Sequence, residues 1–517
     1  MSQLPLPREK ADMTDWIAVL AGALGALMAT LDISITNSAL PQIQGEIGAT
    51  GTEGTWISTG YLMSEIVMIP LAGWLSRLLG LRNFLVGCAL LFTFFSIMCG
   101  TADSLAQMIA GRIGQGFTGG AMIPTAQMII RTRLPRSQLP VGMSIFGIIV
   151  ILGPVLGPVV GGWLAENVSW HWCFFLNIPV CAGLVLLLLL GLPPEKPTWD
   201  DLFKADWLGI FGLSAALSSL TVVLEEGQRD RWFESDMIVW LTVVMTLGFI
   251  CLAIAQVSAK KPVIRLSLLA NPRFASVLVI VFIVGMGLYC VLYLLPQFLS
   301  GIVGYNALQS GNVLLISGIP SLLMMPILPR LLGSVDARVM VIGGLVLFAV
   351  SCFLDTTLTG QSAGNDFFYS QLLRGAGQIM AMMPLNQASM AAVSNEEAAD
   401  AAGLYNMMRN LGGSVGLALM GVFIDRQNKL HSDIIRESVT ANSPLADSRL
   451  SDNAALFASQ HGDILHAKMQ AMAQLASEIN LQAAVMTYSE SFYLLGIALV
   501  CCIPLALPLR APRLTHK

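Results

Sequence analysis

Charged side chains are scarce in this sequence of 517 residues. Asp, Glu, Lys and Arg make up 12% of the residues, whereas hydrophobic residues make up 55% and the mean hydropathy is +0.71. About a quarter of a typical soluble domain is charged, and a transmembrane helix needs about 20 apolar residues. The composition therefore predicts a polytopic membrane protein. The net charge of −4 is small and scattered, so we expect no nucleic-acid partner.

The sequence also lacks the patterns of several other protein classes. Its nine cysteines lie in apolar stretches without a CxxC pair, which predicts packing residues rather than a disulfide framework. No lysine follows a glycine, so a Walker A phosphate loop is absent and transport powered by the chain's own ATP hydrolysis is excluded. No nucleophile–base pair stands out, so we expect neither an enzyme nor a cofactor. The first apolar segment has no convincing cleavage site and is expected to remain as a start-transfer helix.

Apolar segments of helical length recur along the whole chain. They lie at 16–40, 55–75, 84–101, 106–128, 140–165, 173–192, 207–225, 236–257, 274–299, 307–329, 339–357, 367–392, 401–424 and 490–509. With both termini in the cytoplasm, 18 Lys and Arg fall in cytoplasmic segments and 2 in short outer loops. Because Lys and Arg accumulate in short cytoplasmic loops, this distribution predicts 14 transmembrane helices with both termini cytoplasmic.

These spans divide the chain into three parts. Residues 1–192 are expected to form a six-helix bundle, 193–273 to carry two inserted transmembrane helices, and 274–517 to form a second six-helix bundle. Residues 425–488 are polar and contain no span, so they are assigned to a periplasmic loop, with a helical pattern at Ala454–Leu475. This loop contains histidines that are weak candidates for a metal site and are interpreted as solvated: His431, His461 and His466.

A few charged residues interrupt the predicted spans: Asp32, Glu65, Arg112, Arg374 and Arg409. A charge at the bilayer centre costs roughly 2.5–3.5 kcal/mol, so such residues usually face a cavity or a partner. At 1.5 Å of rise per residue, all but Arg409 lie roughly 9–15 Å from the outer ends of their helices. They could simply neutralise one another and hold helices together. Alternatively, a carboxyl group whose exposure or partner changes binds and releases a proton. This predicts proton coupling by Asp32, with Glu65 as a second titrating site or a cation contact.

The fifth span is rich in glycine and proline. Its small and imino residues are Gly153, Pro154, Gly157, Pro158, Gly161 and Gly162. Proline removes an amide donor and kinks a helix, and small residues four positions apart allow close helix contact. The pattern suits a helix that moves against its neighbour during alternating access, although close packing alone would also produce it.

The two halves also share a short motif. Residues 112–116 (RIGQG), followed by Pro124, are similar to residues 374–378 (RGAGQ), followed by Pro384. Internal repeats of this kind are typical of transporters in which two bundles move about a central site.

These motifs resemble those of the major facilitator superfamily. The run 153–162 is similar to the antiporter motif of its drug/proton exporters, and residues 112–116 match its RxxQG motif. The chain also resembles the EmrB/QacA-type exporters with fourteen spans, and most closely their EmrB-like permease subunits, at 31–41, 170–172, 174–179, 294–297, Asn406 and Arg409. The resemblance covers about residues 13–425 and the last span. One departure is Arg77, which stands where the superfamily usually has an aspartate, so an inward-face gate built on that aspartate is not expected.

The resemblance implies an all-α major facilitator fold of two six-helix bundles and two extra linker helices. It implies a drug:proton antiporter of the bacterial inner membrane, driven by the proton gradient, with amphipathic small molecules as substrates. In this hypothesis Arg112 adjusts the proton affinity of Asp32. Further side chains are assigned to the substrate cavity: Asn37, Gln115, Arg374, Asn406 and Arg409.

The EmrB-like resemblance also implies partners. A periplasmic adaptor (membrane fusion) protein and an outer-membrane channel are expected, with the loop 425–488 as the docking element. Glu225 and Glu226, at the outer end of the first inserted helix, are interpreted as solvated.

Two other functions remain open. A dedicated carrier of a single metabolite, such as a fatty acid or a siderophore, would ignore unrelated drugs. A membrane receptor or assembly subunit would transport nothing, and its deletion would leave dye accumulation unchanged.

Overall fold

The computed structural model describes residues 10–509 except 136, 200–201, 203–204, 260–261, 325, 395–396, 440–443 and 462–463. All regular elements in these residues are helices. The predicted cytoplasmic position of the two termini concerns residues that lie largely outside this part of the chain.

The first half contains nine helices within the described residues. They are α1 (Met13–Glu46), α2 (Gly51–Gly54), α3 (Trp56–Leu79), α4 (Leu81–Gly100), α5 (Leu105–Gly119), α6 (Met122–Arg133), α7 (Leu139–Asn167), α8 (His171–Phe175) and α9 (Asn177–Gly191). The inserted pair follows as α10 (Trp207–Glu226) and α11 (Asp236–Ser258).

The second half continues the helical pattern. Its helices are α12 (Pro272–Gly301), α13 (Ala307–Met324), α14 (Leu328–Ser334), α15 (Ala337–Leu354), α16 (Phe368–Ala391), α17 (Ala398–Ser438), α18 (Pro444–His461) and α19 (Ile464–Cys502). Short 3-10 turns occupy Trp232–Glu234, Leu266–Ala270, Gly364–Phe367 and Ile503–Ala506.

Eleven helices in the described residues are long and apolar enough to cross a membrane. Helices also cover every predicted span, but the fourth is divided between α5 and α6 and the tenth between α13 and α14. The twelfth, α16, carries Gln371, Arg374 and Gln378 and is not among these eleven. The all-helical fold is therefore confirmed, and the count of fourteen spans stays a prediction.

Residues 425–488 are mostly helical. The helix α17 continues to Ser438, α18 fills much of the remainder, and α19 runs without interruption into the last span. The helix α19 packs on both α17 and α18. The helical pattern predicted around Ala454–Leu475 is confirmed at 454–461 and 464–475. His431 is not solvated, contrary to its interpretation from sequence, because it is buried with Nε2 3.0 Å from Oε2 of Glu490. The side chain of His461 lies outside the described residues.

The helices of each half pack mainly within that half. In the first half α1 packs on α6, α7 and α9, and α3 packs on α5; in the second half α12 packs on α17 and α16 on α13 and α15. The halves meet where α7 touches α13 and where α17 touches α3 and α6. The inserted helix α10 packs on α11 and also on α3 and α17, so it lies along the seam between the halves.

Candidate functional site

A buried carboxylate on α1 lies at the centre of a polar cluster in the first half. Asp32 is 1% exposed, and its Oδ2 accepts a hydrogen bond of 2.5 Å from Nη1 of Arg112 on α5. Its Oδ1 accepts hydrogen bonds from Nε2 of Gln115 at 3.1 Å and from Nδ2 of Asn177 at 2.7 Å. The two carboxylate oxygens therefore receive donors from α5 and α9, and the charge is paired without contact with solvent.

Arg112 is held by more than its ion pair. Its Nε donates to the backbone carbonyl of Ile57 at 3.2 Å, and its Nη1 also reaches Oε1 of Gln115 at 3.1 Å. The guanidinium carbon lies 4.4 Å from the ring centroid of Tyr61, a cation–π contact. The RxxQG motif thus places Arg112 and Gln115 one helical turn apart, so that both side chains face Asp32.

Sequence reasoning missed two members of this cluster. Asn177, at the start of α9, and Ser96, on α4, are both buried. The Oγ of Ser96 accepts hydrogen bonds from Gln115 at 2.8 Å and from Asn177 at 3.1 Å. An amide in an otherwise apolar segment was the available signal for Asn177, whereas a serine in a span is too common to single out.

The glycines of α7 form the surface that lies against α1 on both sides of Asp32. A Cβ at Gly157 would lie 3.1 Å from the carbonyl carbon of Ser34, and one at Gly161 would lie 2.7 Å from the carbonyl oxygen of Ile35. Gly153 faces Thr30 and Leu31 in the same way, whereas Gly162 has no atom within 4 Å of its Cβ position. Three of the four predicted glycines therefore make the close contact, and Gly162 does not.

The prolines of α7 have separate surroundings. Pro154 cannot donate to the carbonyl of Val150, and the hydroxyl of Thr30 on α1 lies 3.5 Å from that oxygen. The Cβ of Pro158 would be 3.3 Å from a Cβ at Gly311, so it packs against α13 of the other half. The run 153–162 thus contacts both α1, which carries Asp32, and α13 in the second half of the molecule.

Arg374 has a partner that the sequence did not reveal. Its Nη2 lies 2.6 Å from Oδ2 of Asp355, which directly follows α15, and both side chains are almost fully buried. The Nε and Nη1 atoms of Arg374 have no hydrogen-bond partner among the described residues. The two arginines of the repeated motif therefore each hold a carboxylate of their own half, but the carboxylates come from different elements.

The other residues assigned to the substrate cavity are dispersed. Asn406 is fully buried between the halves, where its Nδ2 donates to Oε1 of Gln127 at 2.8 Å. Arg409 is partly buried, and among the described residues its side chain reaches only Oδ1 of its neighbour Asn410, at 3.4 Å. Asn37 is exposed and accepts a hydrogen bond of 2.8 Å from Ser58.

Glu65 lies in a second polar region, away from direct contact with Asp32. It is 3% exposed and lines a narrow cavity between α3, α10, α12 and α17. Glu225 lines the same cavity and accepts a hydrogen bond of 2.9 Å from Ser414. Glu225 is partly buried and Glu226 is 1% exposed, so the interpretation of both as solvated is wrong.

Glu226 is occupied by polar partners instead. It pairs with Arg229 and accepts hydrogen bonds from Thr59 at 2.6 Å and from Thr55 at 3.2 Å. The reason is tertiary: α10 packs against α3, which carries Thr59 in its first turn and is directly preceded by Thr55.

An ion-pair cluster joins the halves at the end that the Lys and Arg distribution predicts to be cytoplasmic. Arg77 at the end of α3 lies 3.2 Å from Oδ1 of Asp400 at the start of α17, and Arg265 lies 3.3 Å from its Oδ2. Glu397, one turn earlier, is 3.8 Å from Arg265. The hydroxyl and backbone N–H of Ser394 lower the pKa of Glu397 from its ordinary value, which keeps it ionised. Arg77 stands where the resembled family usually has an aspartate, and it pairs with a carboxylate of the opposite half.

Comparison with known proteins agrees with this architecture. The sequence profile described as Major Facilitator Superfamily matches residues 22–417. The chain is 31% identical to the colistin resistance protein EmrB of Acinetobacter baumannii over 94% of each chain. It is 29% identical to the multidrug export protein EmrB of Escherichia coli K12 over 96% of this chain and 95% of the relative. It is also 28% identical to the fatty acid resistance protein FarB of Neisseria gonorrhoeae over 84% of this chain and 85% of the relative.

Solved structures show the same fold at low sequence identity. The human organic anion transporter MFSD10 superposes with a TM-score of 0.58 and 16% identity over 94% of this chain and 99% of the other. The proton:xylose symporter XylE superposes with a TM-score of 0.59 and 15% identity over 95% of this chain and 94% of the other.

Proposed function

This chain belongs to the major facilitator superfamily, and we propose that it is a proton-coupled exporter of amphipathic drugs in the bacterial inner membrane. Its similarity to EmrB export proteins over nearly the whole chain supports export as the direction of transport.

The observation that carries the proposal is the Asp32 cluster. A carboxylate that is 1% exposed and bonded to Arg112 cannot take up a proton from water while those contacts persist. Separation of α1 from α5 would expose it, and protonation would then weaken its attraction to Arg112. The proton and the substrate could in this way favour different arrangements of the same helices, as coupling requires. A proton that moves inward across 100 mV supplies about 2.3 kcal/mol.

The packing between the halves supports alternating access. The halves touch through small or kinked positions, such as Gly311 against Pro158 and Gly403 against Ile69 and Pro70. They are also joined by side-chain pairs that can separate, such as Asn406 with Gln127 and Arg77 with Asp400. Rocking of one bundle against the other about a central site is the usual mechanism for such folds.

We further propose that the helical segment 425–488 contacts a periplasmic adaptor, which in turn engages an outer-membrane channel. The segment is built from the ends of α17 and α19 with α18 packed beside them, so it offers a helical surface beyond the bundle. Adaptor binding in a pull-down should be lost when residues 444–461 are deleted and retained in the full chain.

Export of a single amphipathic acid is the second candidate. The similarity to FarB, whose name records fatty acid resistance, favours it. A competition panel separates the two, because a dedicated carrier of fatty acids would not be inhibited by unrelated cationic drugs.

Everted membrane vesicles test the proposal directly. A pH gradient that is acid inside should drive accumulation of a fluorescent drug in vesicles that contain the protein, and a protonophore should abolish it. Equal accumulation in vesicles without the protein would contradict the proposal.

A further inference from the structure

We propose that the cavity between α3, α10, α12 and α17 binds the ammonium head group of a cationic amphiphile through Glu65 and Glu225. This inference rests on the proposed export function and names a substrate-binding site within it. The site is separate from Asp32, which keeps its own donors.

The cavity is small and is built from both halves and the inserted helix. It has a volume of about 330 Å³ including its mouth. Its lining is Leu62, Glu65, Ile66, Thr221, Glu225, Tyr289, Asn410, Ser414 and Leu417. The cavity is too narrow for a whole amphiphile, so only a small group such as an ammonium head group could enter it.

The carboxylate of Glu65 is a second observation, besides the cavity itself, that points to a ligand. The residue is only 3% exposed, yet none of the hydrogen bonds or ion pairs between described residues involves its carboxylate. A buried carboxylate without a partner is costly, and it faces the cavity directly. A cation in the cavity would provide the missing partner.

Acidic groups outnumber basic groups around the cavity. Glu225 accepts one hydrogen bond from Ser414, whereas the neighbouring Glu226 is paired with Arg229. The positive charges that act most strongly on Glu65 are those of Arg409 and Arg112, and Arg112 is already paired with Asp32. A cation in the cavity would favour the ionised form of both carboxyl groups, against which Arg409 supplies the one remaining guanidinium.

The other walls suit an alkylated ammonium group. Leu62 and Ile66 on α3 and Leu417 on α17 offer apolar contact to methyl groups. Tyr289 presents an aromatic ring, and its hydroxyl is fixed by a hydrogen bond of 3.2 Å to Asn410. Aromatic rings beside carboxylates are the surroundings in which quaternary ammonium groups are bound.

This site would give the inserted helices a part in substrate binding. Because Glu225 lies on α10, the cavity has an acidic wall that a chain without the insertion would lack. The helices α10 and α11 would then contribute to substrate binding, in addition to connecting the two bundles.

Binding of matched probes to the full chain tests the inference. The probes are (2-phenylethyl)trimethylammonium and its uncharged carbon isostere (3,3-dimethylbutyl)benzene, measured with the protein in nanodiscs. Glu65→Gln and Glu225→Gln should each raise the Kd of the cation about tenfold, with the Kd of the isostere unchanged within about twofold. Glu225→Asp, which keeps the charge, should bind the cation within about threefold of the wild type.

Glu234→Gln is the matched control, because Glu234 lies in the 3-10 turn that follows α10 but its side chain is 75% exposed and outside the cavity. It should bind both probes as the wild type does. Unchanged cation affinity in Glu225→Gln, or equal losses for cation and isostere, would overturn the proposal.

Two further measurements distinguish this site from a lipid-binding surface and from the transport function. Lipids with an amine head group share the ligand chemistry, so nanodiscs made only of phosphatidylglycerol should retain probe binding; loss of binding there would contradict the site. The binding assay contains no pH gradient, so a protein that binds the cation but accumulates no drug in vesicles would contradict the proposed function and leave the site intact.

Discussion

Asp32 differs from Asp355 and Glu65, two other buried acids, in the number of its partners. Three side chains donate to it, whereas Asp355 pairs with Arg374 and Glu65 has no partner among the described residues. Any movement that takes α5 or α9 away from α1 would therefore remove donors from this buried carboxylate.

Asn177 should matter for stability as well as for coupling. Asn177→Ala removes the donor at 2.7 Å from Asp32, which leaves a buried charge less well satisfied. We expect a destabilisation of about 1–3 kcal/mol, seen as a lower apparent Tm of the purified protein. Asn167→Ala is the control, because Asn167 is an exposed amide that bonds only within α7. Equal Tm values for the two variants would contradict the assigned role.

The sequence revealed some of these residues and concealed others for a physical reason. Asp32, Arg112 and Gln115 stand out because polar groups inside apolar spans are costly. Asp355, Asp400 and Glu225 lie at or near helix ends, where charges are ordinarily solvated. Only the packing of other helices against those ends buries them, and that packing is not encoded in any local pattern.

Among the elements, α7 packs closely against α1 through its glycines. Gly161→Ala would place a methyl group 2.7 Å from the carbonyl oxygen of Ile35 and force α7 away from α1. We expect a destabilisation of about 1–3 kcal/mol through overpacking, together with slower drug export in vesicles.

Gly162→Ala is the matched control for this prediction. Its Cβ would have no atom within 4 Å, and alanine is favoured over glycine in a helix by up to about 1 kcal/mol. The Tm of this variant should equal or exceed that of the wild type. A similar decrease in Tm in both variants would mean that these glycines contribute only to helix flexibility and not to close packing.

The helices α3 and α17 are connected by charge as well as by packing. If Arg77 and Asp400 form one unit, Arg77→Gln should have little further effect in a chain that already carries Asp400→Asn. We expect an interaction energy of about 0.5–1 kcal/mol in a double-mutant cycle on unfolding, at the low end because Arg77 is 45% exposed.

The exposed pair of Arg231 and Glu234, 4.0 Å apart, is the control cycle and should be additive. Additive effects of Arg77→Gln and Asp400→Asn would show that the two halves do not depend on this ion pair. The substitution of arginine for the usual aspartate would then have no structural compensation.

At the scale of the whole molecule, hydropathy alone predicted where the helices lie. Every predicted span contains helix, and the two halves and the inserted pair follow from the order of the spans. The breaks at Gly120 and at 326–327 were not predicted, because local apolar character continues across both. The position of α10 along the seam was also not predictable, since it depends on contacts between elements more than a hundred residues apart.

The central claim is that Asp32 couples proton movement to export by the whole bundle. Its most direct test compares two modes of transport in everted vesicles that contain Asp32→Asn. Drug exchange between labelled and unlabelled pools requires movement of the bundle but no net proton transfer, so the variant should retain it. Uphill accumulation driven by a pH gradient should be lost, and Asp32→Glu, which keeps a carboxyl group, should retain part of it. Accumulation at the wild-type level in Asp32→Asn would contradict the account.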